Sequence, residues 1–124
     1  EGPYKIKIDK YDRIWACNYY LSMFDPRTEK ITYFLPDKNN PKAAPDINIH
    51  DLIIDNYSNV WLTTNGHGIF RFNPTKGEWK QYLFGGTNYF PQITIDKEGI
   101  IWTYETSSKL LRIDPNNGDF EWIP

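Results

Sequence analysis

The chain has 124 residues, of which 14 are basic and 16 acidic, giving a formal net charge of -2. This balance offers no cationic surface for nucleic acid or an anionic membrane, and no apolar run approaches the about 20 residues that span a bilayer. A single cysteine, Cys17, excludes an internal disulfide and a cysteine-based zinc site.

The first 35 residues predict four short strands, near 4–9, 13–18, 20–25 and 30–35. In the first of them Ile6 and Ile8 alternate with lysines, which is the period-two pattern of a strand with one buried face. Residues 36–48 contain three prolines and show neither strand nor helix periodicity, so they predict an irregular connection.

Two further units of the same kind follow. Residues 49–84 hold four apolar or alternating runs separated by Asn, Gly, Pro and Ser, which predict four strands and three turns. Residues 85–91 form a second connection. In the third unit, 92–124, strands are expected near 92–96, 100–105, 109–114 and 119–123.

A repeated set of residues places the three units in register. Each unit has an aspartate six residues before a tryptophan, and then an Asp-Pro or Asn-Pro pair. The aspartates are Asp9, Asp55 and Asp96, and the tryptophans are Trp15, Trp61 and Trp102. Four strands in a period of about 40–45 residues are typical of a β-propeller blade. The sequence therefore predicts an all-β fold, a propeller segment of three four-stranded antiparallel blades (1–35, 49–84 and 92–124).

Three blades would leave both end blades with an exposed apolar face. We therefore expect this segment to be an incomplete ring that associates with the remaining blades of a longer protein or with another copy of itself. A dimer would contain six blades, a number that can close.

The repeated residues have structural interpretations. The aspartates begin the first tight turn of each unit, where a carboxylate accepts backbone N–H groups, and the tryptophans are expected to pack between blades. The run from Asp55 to Asn59 has oxygen-bearing side chains at alternate positions, which also suggests a calcium loop. It lacks the glycine and the distal glutamate of an EF-hand, so we expect no metal and no cofactor.

The repeat is similar to that of a known family. Its pattern is apolar-Asp, then four residues that include Gly or Asn, then apolar-Trp-x-x-Thr, followed by Gly-apolar-aromatic-Arg-Phe-(Asn/Asp)-Pro-x-x-Gly, and it resembles the two-component regulator propeller repeat. The match is best at 52–82, good at 93–123 and loose at 6–35, where Asn18 and Tyr19 replace the Thr-x-x-Gly connection. The resemblance implies a periplasmic or extracellular sensor propeller of a hybrid two-component system with a histidine kinase, and many such sensors bind glycan fragments. The motif residues are structural, so the resemblance transfers no binding or catalytic residue.

Strand parity predicts where a ligand would bind. In an up-and-down blade the second turn and the connection to the next blade share one face, which here collects the irregular segments. Variable loops on a rigid scaffold commonly bind ligands, and aromatic rings, amides and a carboxylate suit a sugar. The predicted ligand-binding residues are Asn18, Tyr19, Tyr20, Asn65, His67, Asn88, Tyr89, Tyr104 and Glu105. The alternative is that these are ordinary solvated loops.

Three functions remain open from the sequence. The first is a non-catalytic segment of a sensor that binds a small molecule or an oligosaccharide. The second is a lyase of the virginiamycin-inactivating type, a related propeller that would need a metal and a basic residue, whereas this chain has only two histidines. The third is a secreted scaffold that binds proteins. His67 could act as a base, but no nucleophile motif accompanies it, and we expect no catalytic residue.

Overall fold

Twelve strands and no helix make up the described part of the chain. A computed structural model describes residues 5–105 and 109–124. The first sheet contains β1 (Lys5–Ile8), β2 (Ile14–Cys17), β3 (Leu21–Asp25) and β4 (Lys30–Phe34). The second contains β5 (Ile49–Ile54), β6 (Val60–Thr64), β7 (Ile69–Asn73) and β8 (Glu78–Tyr82). The third contains β9 (Ile93–Ile95), β10 (Ile101–Tyr104), β11 (Leu110–Ile113) and β12 (Phe120–Ile123).

Each sheet is an antiparallel meander in chain order. The fold class predicted from the sequence, three four-stranded antiparallel blades in an open arrangement, is therefore confirmed. In the first and third sheets the strand ends lie within one residue of the predicted ends. The first predicted strand begins at residue 4, which lies outside the described residues.

The sheets stack face to face and are nearest to one another at their first strands, because β5 contacts both β1 and β9. Two apolar cores fill the spaces between sheets. Trp15, with 0% of its surface exposed, lies in the core between the first and second sheets. Trp61, also 0% exposed, lies in the core between the second and third sheets. Trp102 is half-buried, on the face of the third sheet that no other sheet covers.

An aspartate–tryptophan clasp closes the first turn of every sheet. In the second sheet, Asp55 Oδ1 accepts the backbone N–H groups of Tyr57 and Asn59 at 2.8 and 2.9 Å. Its Oδ2 accepts the indole N–H of Trp61 at 2.7 Å. The same bonds recur at the other two turns, where the indole bond measures 2.8 Å from Trp15 to Asp9 and 2.9 Å from Trp102 to Asp96.

The clasp explains the repeated spacing. The carboxylate at the end of the first strand binds the turn with one oxygen and the second strand's tryptophan with the other. The clasps of the first and second sheets therefore join a turn to the core that the tryptophan fills. The Asp55–Asn59 segment is an Asx-type turn whose carboxylate oxygens both accept protein N–H groups.

Candidate functional site

The face opposite the clasps is formed by the second turns of the first two sheets and by the connections 35–48 and 83–92; we call it the connection face. Backbone hydrogen bonds join its parts. Ile49 N–H donates to Tyr19 O at 3.3 Å, and Asn65 N–H donates to Asn48 O at 3.3 Å. Asn65 also forms an isolated β-bridge with Tyr89. The turns and connections are thus one bonded surface rather than separate loops.

A cleft of about 330 Å³ opens on this face where the first strands begin. The first two repeat units and both connections contribute to its wall. The lining residues are Lys5, Asn18, Asn48, Ile49, His50, Tyr89 and Pro91. Two of the predicted ligand-binding residues, Asn18 and Tyr89, belong to this set.

The geometry of the cleft combines an aromatic wall with hydrogen-bonding groups. The rings of His50 and Tyr89 meet edge to face, with centroids 4.9 Å apart and an interplanar angle of 63°. Both residues are half-buried. The pair presents ring surface for stacking, while the amides of Asn18 and Asn48 offer donors and acceptors.

The charge of the cleft comes from Lys5. Among the described residues that line it, none carries a carboxylate. Asp51 lies close by in the sequence, but its oxygens accept the backbone N–H groups of Leu52 at 2.9 Å and Ile93 at 3.0 Å. The buried Asp51 carboxylate thereby joins β5 to β9, and the cleft itself suits a polar ligand that is neutral or anionic.

The structure places Tyr19 and Tyr20 outside the cleft. Their rings are in edge contact, with centroids 4.7 Å apart, and Tyr20 Oη donates to Asp46 Oδ1 at 3.3 Å. Partial burial, together with the Asp46 carboxylate, raises the pKa of Tyr20 above its usual 10.0. Tyr20 lines a separate open depression of about 670 Å³ beneath the proline-rich connection.

Two predicted residues are engaged in holding the second connection. Asn88 has a φ of 55°, and its Oδ1 accepts Phe84 N–H at 2.7 Å. Glu105 is only 4% exposed, and its Oε2 accepts the Thr87 N–H at 2.6 Å and the Thr87 hydroxyl at 3.1 Å. These groups fix the shape of the connection instead of facing the cleft.

The other predicted residues are dispersed. His67 is exposed, and its backbone N–H donates to Thr64 Oγ1 at 3.0 Å. Tyr104 lines a depression of about 210 Å³ on the uncovered side of the third sheet. Residues 106–108, which the sequence also places on the connection face, lie outside the described residues.

Sequence reasoning missed Lys5, Asn48 and His50 as cleft residues. All three stand at or just before the start of a first strand, and the adjacency of first strands is what brings them together. The repeat of the sequence does contain the information needed to find them. The first strands of neighbouring blades lie side by side in a propeller, so the residues that begin those strands must meet.

Comparisons with known proteins agree with this architecture. The sequence matches no family model and no curated protein. Among solved structures it is similar to virginiamycin B lyase from Staphylococcus aureus, with 26% identity, a TM-score of 0.77, and coverage of 98% of this chain and 40% of that one. It is also similar to extracellular domains assigned to hybrid two-component systems of B. thetaiotaomicron. BT4673 shows 21% identity, a TM-score of 0.77, and coverage of 97% of this chain and 18% of that one. BT3049 shows 16% identity, a TM-score of 0.76, and coverage of 94% and 17%.

The fold and these similarities define the class: an open, three-bladed segment of a β-propeller. Its structural neighbours include both extracellular domains of two-component systems and a lyase, and it spans less than half the length of each. Within the described residues no helix has the length and hydropathy needed to cross a membrane.

Proposed function

We propose that this chain is a ligand-binding segment of an extracytoplasmic sensor propeller of a hybrid two-component system, and that it performs no chemistry itself. The observation that carries the proposal is the cleft at the first strands, to which the first two repeat units and both connections contribute. A ligand in it touches the first two blades and the connection that leads into the third. Binding there can therefore favour one relative orientation of the blades, which is how a rigid sensor transmits occupancy.

The lining of the cleft supports an oligosaccharide as the class of ligand. An edge-to-face aromatic pair, two amides and one lysine suit an oligosaccharide, whose C–H faces stack on rings and whose hydroxyls need donors and acceptors. The lysine adds preference for a carboxylate-bearing sugar over a neutral one.

The test is direct binding of a panel of neutral and uronate-containing oligosaccharides, measured by calorimetry. Tyr89→Ala and His50→Ala are expected to weaken binding at least tenfold, since each removes one half of the aromatic pair. Tyr57→Ala is the matched control, because Tyr57 is 57% exposed and contacts Asn116 near the clasps. Unchanged affinity in both cleft variants, with loss in Tyr19→Ala or Tyr104→Ala, would place the site elsewhere.

The second candidate is a lyase, favoured by the 26% identity to virginiamycin B lyase and by a histidine in the cleft wall. A catalytically inactive form of that enzyme has been solved with quinupristin. Incubating this chain with quinupristin and divalent metal would distinguish the two functions. An elimination leaves the mass unchanged, so the readout is a chromatographic shift of the opened ring, and its appearance would overturn the sensor proposal. A stable protein complex with neither binding nor turnover would favour a scaffold.

A further inference from the structure

Every sheet has two distinct faces, and both internal interfaces pair them in the same way. One face of each sheet carries the repeated tryptophan; we call it the trailing face. We call the opposite face of the same sheet the leading face. Trp15 on a trailing face packs against Leu62 and Phe72 on the leading face of the second sheet. Trp61 packs in the same way with Ile101 and Leu111 of the third.

The leading face of the first sheet is apolar and uncovered. The strand registers place Ile6, Ile8, Ile14, Phe24, Ile31 and Tyr33 on it. Ile8 is 63% exposed and Tyr33 is 61% exposed. The equivalent positions in the second sheet, such as Ile54 and Val60, pack in a core. No charged side chain lies on this face among the described residues.

The trailing face of the third sheet is its natural counterpart. It carries Trp102, Tyr104 and Leu110, which surround the depression of about 210 Å³. The guanidinium of Arg112 on this face is paired with a carboxylate, because Arg112 Nη1 lies 3.8 Å from Glu121 Oε1. Covering this face therefore buries no uncompensated charge.

We propose that two copies of this chain associate head to tail, with the leading face of each on the trailing face of the other, and close a six-bladed ring. Within one copy the second sheet separates the two end faces, so a copy cannot cover its own. In a pair, both contacts form at once, and the second is intramolecular once the first has formed. Six blades lie within the range of about four to eight that closes natural propellers.

The area is sufficient for a stable dimer. Ile6, Ile8, Ile31 and Tyr33 are each between 51% and 63% exposed. If each of these presents roughly 100 Å² and the less exposed Trp102, Tyr104 and Leu110 together present roughly half of that total, two contacts bury on the order of 1,200 Å², the lower end of the about 1,200–2,000 Å² of specific complexes. Each contact of the dimer would pair a trailing face with a leading face, as the two interfaces within the chain already do.

The test is the mass in solution, by light scattering on a sizing column. The expected mass is twice the 14.7 kDa of one chain. Ile8→Glu on the leading face and Leu110→Glu on the trailing face should each give a monomer, since each places a charge in both contacts. Leu83→Glu is the control, because Leu83 is 62% exposed but follows β8, outside either face. Far-ultraviolet dichroism and a cooperative urea transition verify that each variant folds.

A mixing experiment tests the head-to-tail arrangement. Ile8→Glu and Leu110→Glu copies, monomeric alone, should form a heterodimer when mixed, because one unmodified contact remains between them. A head-to-head dimer would instead survive Leu110→Glu, and this result would overturn the proposal. A wild-type chain that remains monomeric at about 100 μM would also overturn it and would indicate that blades of a longer polypeptide cover these faces.

Discussion

Replacing Asp55 with alanine tests whether the aspartate–tryptophan clasp holds the blades together. Asp55 is 5% exposed and accepts three hydrogen bonds, from the Tyr57 and Asn59 backbones and from the Trp61 indole. The alanine removes the acceptor and leaves the three donors in place. We expect a large loss of stability with no change of fold.

The magnitude follows from where the three donors lie. Bonds to a charged acceptor contribute about 1.5–3 kcal/mol each, and an orphaned buried donor costs about 1–3 kcal/mol. Tyr57 is 57% exposed, so water can reach the turn and replace part of those bonds. Trp61 is 0% exposed, so its indole N–H is left without an acceptor. A loss of about 3–5 kcal/mol is expected, a large part of the about 6–19 kcal/mol typical of a chain this long.

The assay is urea unfolding at fixed protein concentration, in the Ile8→Glu background so that association does not contribute. The midpoint should fall while the slope stays constant. A double-mutant cycle with Trp61→Phe should give a coupling of about 1–3 kcal/mol. Asp96→Ala should cost less, because its tryptophan is only half-buried in one copy. A loss below about 1 kcal/mol at Asp55, or zero coupling, would refute the role assigned to the clasp.

Three further predictions concern other parts of the chain. Gly86→Ala should lower the melting temperature, because Gly86 has a φ of 98° and an added Cβ would collide with the Glu105 carboxylate. Gly85→Ala is the control and should leave the melting temperature unchanged, because nothing lies within 4 Å of a Cβ added there. Burial raises the pKa of Asp9, but hydrogen bonds from its tryptophan and turn outweigh burial and hold the pKa below 3.8. The unfolded chain therefore binds more protons, and urea midpoints should be constant above about pH 5 and fall as the pH drops through 3.8 and below; Asp9→Asn should reduce this dependence. Burial, with a nearby buried carboxylate, raises the pKa of Cys17 to about 12, so a thiol reagent at pH 8 should label it only as fast as the chain opens.

Much of the fold could be predicted because its signals are local. Period-two alternation, as at Ile6 and Ile8, and turn residues at fixed offsets define strands without tertiary information. The indole bond of the clasp could not be predicted in the same way. Asp55 and Trp61 are six residues apart, and only the turn geometry shows that the carboxylate reaches the ring nitrogen.

The candidate site was harder to predict because it depends on contacts between sheets. Lys5, His50 and Tyr89 meet in one cleft although they are far apart in sequence. The composition of the loops also predicted as ligand-binding some polar side chains that form hydrogen bonds within the protein. A carboxylate such as that of Glu105 can accept hydrogen bonds from the hydroxyl groups of a sugar, but Glu105 is buried against Thr87. Without the shape of the connection, an internal acceptor and an exposed one cannot be distinguished.

The clasp and the cleft lie at opposite ends of the same strand, and this separation predicts that stability and binding can be changed independently. β5 has six residues, from Ile49 at the cleft to Ile54 beside the clasp, so it spans about 18–20 Å. Sites more than about 7–10 Å apart with no shared partner usually have additive effects. Asp55→Ala should therefore lower the urea midpoint while leaving oligosaccharide affinity unchanged below the transition, and Tyr89→Ala should do the reverse. If Asp55→Ala also weakened binding in the folded protein, the strand would be transmitting strain between its ends, and the independence of scaffold and site would be wrong.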